Sequence, residues 1–406
     1  MSQTLVTIEK ALKDVYLPLW NNLLNVEPSA FLAAIKKVPI KGNNIVASAP
    51  FGLSGGFGYG AEGQATPASG HVQFKRFTEN AKDLYVNICI SQKAVKLTGP
   101  SGSMADALQT EIKGAYETAK WNVGRSLFGN GTGILARVTA VSTATIDGVS
   151  YIKLTVDDTS RLKEGLILDV FTTATTVPHT NGKGVRLLEV DHANKAIVIS
   201  AAGSTSSSFA ATDFITVQNS LNREITGLGA IMYESGDTDY VSSLYGLAKS
   251  SNAVLNPVSK DAGHDIDDSI ITNVLRRAER EKNSKVNMIM AGDDAYDAYT
   301  QYLRANNIRV EAQSKVIEGG FKAIKFLFGN REIDIVNESF VPTGEMWGVD
   351  TTACTLHQTD WTFADLQGGG IFNLMENQSI YRALLTNYGN LICNNPGGCI
   401  RIKNAA

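Results

Sequence analysis

The 406-residue sequence predicts an α+β protein in which a small all-β, barrel-like domain interrupts a mixed host. Three observations carry this. A helical pattern from Ser103 to about Phe128 runs into Gly129-Asn130-Gly131-Thr132-Gly133. The following segment, 135–218, turns rich in Thr, Ser and Val, with apolar residues at every second position. The character of the host resumes at Gly227-Leu228-Gly229-Ala230-Ile231. A module grafted at a surface loop costs its host little, because loop-closure entropy grows slowly with length.

The elements follow in order. Residues 1–44 read as an N-terminal arm. Leu5, Ile8, Leu12, Val15 and Leu19 fall at helical spacing, and Pro18, Pro28 and Pro39 interrupt. The arm is too apolar to float free and is expected to lie on another surface. Residues 45–91 read as a long excursion: strand 45–49, a glycine-rich stretch from Gly52 to Gly63, then a returning section 82–91. In that section Leu84, Val86, Ile88 and Ile90 share one face, and Tyr85, Asn87, Cys89 and Ser91 the other. A two-stranded excursion buries little of itself, so it is expected to rest on a neighbouring subunit.

The helix has an N-cap candidate in Ser103, with Asp106 three residues on. Met104, Leu108, Ile112, Ala115, Ala119, Val123 and Leu127 form its apolar stripe, and Lys113 and Glu117 can pair across one turn. At 1.5 Å per residue it makes a rod of roughly 40 Å. The inserted module, within 135–221, shows six strands at 135–141, 151–156, 166–171, 185–190, 196–200 and 214–217, separated by turns such as Asp147-Gly148. Beyond it, Asp267 or Asp268 caps a helix, a strand occupies 286–290, and Asp293 starts a tyrosine-rich helix. Further strands are expected at 323–328, 332–336, 345–349, 379–386 and 391–393.

Composition excludes several function classes. Hydrophobic residues make 43% and charged residues 19%, with a formal net charge of −3, so a whole-protein basic footprint for nucleic acid is absent. The N-terminus lacks a secretory signal, and no apolar run approaches the roughly 18–20 residues that span a bilayer. Cys89, Cys354, Cys393 and Cys399 are too scattered for a zinc site and read as buried apolar thiols. Gly58-Tyr59-Gly60-Ala61-Glu62-Gly63 matches a dinucleotide fingerprint in letters, but a loop containing Pro67 follows it instead of a helix. Of the acidic pairs Asp157-Asp158, Asp267-Asp268 and Asp293-Asp294, the last two precede predicted helices and read as caps. The histidines His71, His179, His192, His264 and His357 are isolated. No catalytic, cofactor-binding or metal site is predicted. Lys10, Lys13, Lys36, Lys37 and Lys41 make the arm mildly positive, and a solvated face is the favoured reading over contact with an acidic neighbour or nucleic acid.

Four segments carry a resemblance by their order and spacing. They are Glu62-Gly63-Gln64-Ala65-Thr66-Pro67 with Phe74 and Leu84 to Lys93; the helix ending in Phe128-Gly129-Asn130-Gly131-Thr132-Gly133; Pro342-Thr343-Gly344-Glu345-Met346-Trp347-Gly348-Val349-Asp350; and Tyr381-Arg382-Ala383-Leu384-Leu385 through Asn395-Pro396-Gly397-Gly398-Cys399. In that order they resemble the major capsid proteins of tailed phages, with the Hong Kong 97-type shell fold. The last segment resembles that family's C-terminal strand pair. The resemblance implies an N-terminal arm (1–44), an extended loop (45–91), a peripheral domain with a spine helix (92–134), and the inserted β domain (135–221). It further implies an axial domain (222–320) and late strands shared by the two (321–406).

It also implies homo-hexamers and homo-pentamers closing into an icosahedral shell around double-stranded DNA, bound without sequence specificity, in a virion assembled in the host cytoplasm. A scaffolding protein, a portal and a decoration protein are the implied partners, and a membrane is not. The chain lacks a long helical scaffolding extension, which implies a separate scaffolding protein or prior removal. Inter-subunit contacts are expected at Glu62, Lys75 and Arg76, three charges on an excursion with little core to join. Lys75 also suits the lysine of the family's covalent cross-link, but no spacing identifies the asparagine and glutamate partners, so cross-linking is not expected. Two alternatives remain open: an encapsulin-like cargo compartment, and a β-rich ligand-binding module or hydrolase built on the insertion.

Overall fold

The computed structural model describes residues 16–42, 44–51, 55–63, 65, 68–91, 103–173, 176–201, 209–263, 266–306, 314–316, 322–364, 370–375 and 378–405. Its central beam is the long helix Ser103–Leu127. Ile112, Ala119, Val123 and Leu127 of the expected stripe are buried, with Ala115 half-buried, while Lys113 and Glu117 face outward. Met104 and Leu108 lie where side chains are not described. The Lys113–Glu117 pair does not form among the described residues. Lys120 instead reaches Glu27 at 3.1 Å, and Tyr116 donates its hydroxyl to the same carboxylate at 2.7 Å.

Against the helix lies a six-stranded sheet built on Ile380–Cys393. Lys82–Ser91 runs antiparallel along one side of that strand, and Cys354–Gln358, Thr362–Phe363 and Asn373–Leu374 line the other. Lys36–Pro39 adds to Cys354–Gln358 in parallel. Two expectations change here. The excursion beginning at residue 45 returns through Gln73–Asn80, in register from Asn44↔Asn80 to Phe51↔Gln73, and Lys82–Ser91 belongs to the main sheet. Its expected alternation holds, since Leu84, Val86 and Ile88 point inward and Tyr85, Asn87 and Cys89 outward. The two strands expected at 379–386 and 391–393 are one strand of 14 residues. The segment 381–399, likened to a C-terminal strand pair, thus holds this single strand and the turn Pro396–Gly398.

The described part of the arm does not float free but packs on the main core of its own chain. Its two short helices, Leu17–Leu23 and Ala30–Ala34, put Trp20, Leu24, Phe31 and Leu32 into the main core. Asn21 exchanges two hydrogen bonds with the Trp361 backbone. Residues 1–15, with Leu5, Ile8, Leu12 and Val15, lie outside the described residues, as do Lys10 and Lys13.

A second core sits in a seven-stranded sheet ordered Val258–Asp261, Ile400–Lys403, Met346–Val349, Met288–Ala291, Arg331–Asn337, Lys322–Phe328, Ser314–Val316. Helices Asp268–Lys282 and Asp293–Ala305 cover it through Ile271, Val274, Leu275, Tyr299 and Leu303. Asp267 is the cap of the first, its carboxylate accepting from the Ile270 N–H at 2.7 Å.

Glu338 links this sheet to the arm. It is only 6% exposed, and its carboxyl accepts backbone N–H groups of Phe340 and Ala30. Burial raises its pKa to about 8, so the folded protein holds it protonated at neutral pH. The unfolded chain ionises near the usual carboxylate value. Between those two points the folded state binds the extra proton, so this contribution is full below about pH 4.5 and is lost as pH rises through about 8. A displacement of this size is worth on the order of several kcal/mol. Buried Lys249, held down to about 8 by burial, acts with the opposite sign. Melting midpoints of wild type minus Glu338→Gln isolate the carboxyl. The difference is expected to grow in favour of the variant from pH 5 to pH 9, and a flat difference would refute the assignment.

The six strands expected in the insertion all form and close a barrel: Phe214–Val217, Ile134–Ile146, Val149–Val156, Ala196–Ile199, Val185–Asp191 and Ile167–Phe171, the last pairing back to the first. Asp147 and Gly148, at φ 49 and 78, make the tight turn between the second and third. Leu154, Leu168, Val170, Leu187, Ile197, Ile199 and Ile215 fill the interior, and Trp121 of the long helix packs against it. With a core of its own, a fragment of residues 135–218 is expected to fold alone and give dispersed amide resonances. A random-coil spectrum would rule that out.

Candidate inter-subunit surface and the barrel joint

The hairpin Asn44–Phe51/Gln73–Asn80 is anchored at its base and bare at its tip. At the base Ile45, Ala49 and Phe77 are buried, Phe77 packs on Tyr245 with ring centroids 5.2 Å apart, and the Thr78 N–H donates to the Tyr245 carbonyl at 3.1 Å. Burial there raises the Glu79 pKa. Toward the tip the apolar side chains lose cover. Phe57 is 82% exposed, Tyr59 96% and Phe74 64%, with Phe57 and Tyr59 edge to face at 5.5 Å. Large apolar groups held out in water on an anchored ribbon mark a contact site.

Of the expected contact residues, Glu62 lies at the exposed tip, while Lys75 and Arg76 lie on the returning strand opposite Ala49 and Ser48. Neighbours in a strand point to opposite faces, so Lys75 is half-buried and Arg76 exposed. The structure does not bring Glu62 and Arg76 together in an ion pair. Sequence reasoning singled out the charges and passed over the aromatics Phe57 and Tyr59. The signal was present: bulky rings in a glycine-rich run with no partner strand to pack against.

A cleft of about 280 Å³ lies between barrel and host, lined by Arg137, Asp157, Arg161, Tyr233, Asp239 and Arg401 among others. Its charges largely satisfy one another. Arg401 binds Asp237 and, at 2.8 Å, Glu345, and lies over the Tyr233 ring at 4.9 Å. Arg161 donates to the Tyr233 hydroxyl at 3.1 Å, and Arg137 reaches Asp239 at 3.4 Å. Asp157 accepts the Arg137 and Asp158 N–H groups at 2.8 Å, and Asp158 accepts from Ser160. These acids shape turns. Asp268 accepts the Tyr299 hydroxyl at 3.0 Å, and Asp293 and Asp294 sit in a helix's first turn.

The stems of the barrel are pinned together. Asn222 N–H donates to the Thr132 carbonyl at 2.7 Å, and Asn130 donates to the Asp239 carbonyl at 2.8 Å. Arg125 makes a two-pronged pair with Glu224 at 2.9 and 2.6 Å, both side chains more than nine-tenths buried. Gly133, at φ 79, and Gly227 are required because a Cβ would strike the Ser220 and Leu127 carbonyls.

The remaining expectations divide. Cys354, Cys393 and Cys399 are buried as expected, whereas Cys89 is exposed. His179 contacts Asp213 at 3.0 Å, His192 contacts Thr159 at 3.0 Å, and burial lowers the His357 pKa. The fingerprint glycines 58–63 lie in an exposed loop. Among the described residues, no helix is long and apolar enough to cross a membrane and no group of three or more acidic, histidine or cysteine side chains is placed to hold a metal ion.

No protein-family model matches the chain, and no curated protein matches it. Among solved structures it is similar to a chain of the cyanophage A-1(L) capsid asymmetric unit, at 10% identity over 93% of each chain, with a TM-score of 0.53. A capsid chain of the native GTA particle (10% identity, 93% of this chain and 90% of that, TM-score 0.46) is also similar. So is an encapsulin complex from Synechococcus elongatus (7%, 91% and 85%, 0.43). Of these three, only the first exceeds a TM-score of 0.5. The chain has the Hong Kong 97-type capsid shell fold, with a closed six-stranded barrel inserted after its long helix.

Proposed function

We propose that this chain is a major capsid protein. It assembles as hexamers and pentamers into an icosahedral shell that encloses double-stranded DNA of a tailed phage. One observation supports this most: a hairpin anchored by its own core extends exposed aromatic rings, on a fold shared with a phage capsid chain over nearly its whole length. Contacts made by the same surface on every copy close into rings and shells when the rotation permits. On this reading residues 45–80 form the extended loop, the long helix and the Ile380–Cys393 sheet form the peripheral domain, and the seven-stranded sheet forms the axial domain. The barrel faces outward, a scaffolding protein and a portal serve assembly, and the product is a virion shell built in the host cytoplasm. The barrel's packed interior supports this reading over a ligand-binding module. Sedimentation and negative-stain microscopy of the expressed protein test it. Capsomers and closed particles are expected; a chain that stays monomeric at high concentration would overturn the proposal. Purified particles that hold no nucleic acid would favour a cargo compartment.

Charge should guide the same contact. Glu62→Lys or Arg76→Glu is expected to leave melting of the free subunit unchanged and to lower the yield of closed shells severalfold. One exposed pair contributes only about 0.2–1 kcal/mol, but reversal adds like-charge repulsion at every repeat of the interface. Wild-type shell yields from both variants would remove these residues from assembly.

A further inference from the structure

Strand register brings three of the four cysteines together. Cys354 lies directly opposite Cys393 in the antiparallel pairing of Cys354–Gln358 with Ile380–Cys393. One step along, the Asn394 N–H donates to the Ala353 carbonyl at 2.9 Å. Hydrogen-bonded and non-hydrogen-bonded pairs alternate along such a ladder, which makes Cys354/Cys393 a non-hydrogen-bonded pair. The Cys393 N–H accordingly turns away from that partner and donates to the Tyr245 hydroxyl at 2.9 Å. At these pairs the Cα atoms lie roughly 4.5 Å apart and the side chains are closest, inside the roughly 4.4–6.8 Å that a disulfide spans. Cys399, after the turn Pro396–Gly398, sets a third thiol against Cys393. All three are free and at most 1% exposed.

We propose that Cys354 and Cys393 form an oxidation site that closes to a cross-strand disulfide when the protein meets a peroxide outside a reducing compartment. The Cys393 thiolate attacks the peroxide, forming an S–O bond as the O–O bond breaks, and the departing hydroxide takes a proton to become water. The Cys354 thiolate then attacks the Cys393 sulfur, the S–S bond forms, the S–O bond breaks, and a second water leaves. Two thiols lose two electrons and one peroxide gains them. Cys393 is the better first nucleophile, because the Cys354 thiol directly opposite it favours its thiolate against burial. Burial makes the reaction slow, paced by local opening of the sheet. The product staples the end of the long central strand to its neighbour.

The test uses the full chain with Cys89→Ser, which removes the exposed thiol. The folded protein is incubated with hydrogen peroxide, quenched, denatured, titrated for thiols and mapped without reduction. Titratable thiols should fall from three to one, with a Cys354–Cys393 linked peptide. The melting midpoint should rise by a few degrees and return on treatment with dithiothreitol. Cys399→Ser should keep the link and Cys354→Ser should lose it. The map on the Cys89→Ser protein decides the matter even where a further variant fails to fold. Three persisting thiols, a Cys393–Cys399 link, or oxidation to sulfinic acid without any link would each overturn the proposal.

Discussion

Replacing Phe57, Tyr59 and Phe74 together by serine should abolish closed shells while leaving the melting midpoint of the free subunit within about one degree of wild type. These rings are mostly in water in the single chain, so the chain itself loses little when they go. Each is worth roughly 1.5–3 kcal/mol once buried against another surface. A shell makes that contact in every subunit, so the loss repeats throughout the assembly. Sedimentation separates capsomers from particles, and calorimetry reports on the subunit. Abundant normal particles from the triple variant would sink the assignment of this hairpin as the principal contact. The effect should exceed that of the charge reversals, since apolar burial is not screened by salt.

Glu224→Ala should destabilise the subunit by about 3–5 kcal/mol, the cost of stranding a buried charge. Arg125 is 5% exposed at its side chain, and its Nε already lacks an acceptor. Removing Glu224 takes both remaining strong acceptors from the guanidinium, leaving a long 3.4 Å contact to Asn122. The double replacement Arg125→Met, Glu224→Leu should cost much less, because no charge remains buried. Denaturant titration of wild type, Arg125→Met, Glu224→Leu and the double variant measures the coupling. A loss under about 1 kcal/mol in the single variant would show that water reaches the site and solvates the arginine.

The barrel was legible in the sequence to within a few residues at each strand end, because alternation and turn chemistry are local. Asp147-Gly148 and the run around Lys195 adopt the left-handed conformations their positions require. The long helix and the Asp267 cap were legible for the same reason. Strands whose existence depends on a distant partner were not. Lys36–Pro39 pairs with Cys354–Gln358, and Val258–Asp261 with Ile400–Lys403, so each short parallel strand is defined by chain far away. The Ile380–Cys393 strand looked broken because Asn387, Gly389 and Asn390 are poor strand formers. In the fold, Asn390 is fully buried and bonds Thr226, Asn80 and its own neighbour Leu391, Asn387 bonds Thr359, and Gly389 admits the His357 carbonyl. The contact surface was half legible. The hairpin was visible as a ribbon without a core, but which side chains it leaves bare depends on where its base is anchored, on Tyr245.

The pinned stems give the host a property independent of whatever the barrel does. Thr132 and Asn222 meet at hydrogen-bonding distance, so the chain leaves and re-enters the host at one point. The helix before and the segment after are already joined there by Arg125 and Glu224. The host therefore registers the insertion as a short closed loop, whatever its length. Any foreign domain whose termini lie close together fits the same socket, at an entropic cost that rises only with the logarithm of its length. On the proposed shell, such a socket is an address repeated once per subunit, where evolution or an engineer can exchange one module without rewriting the wall.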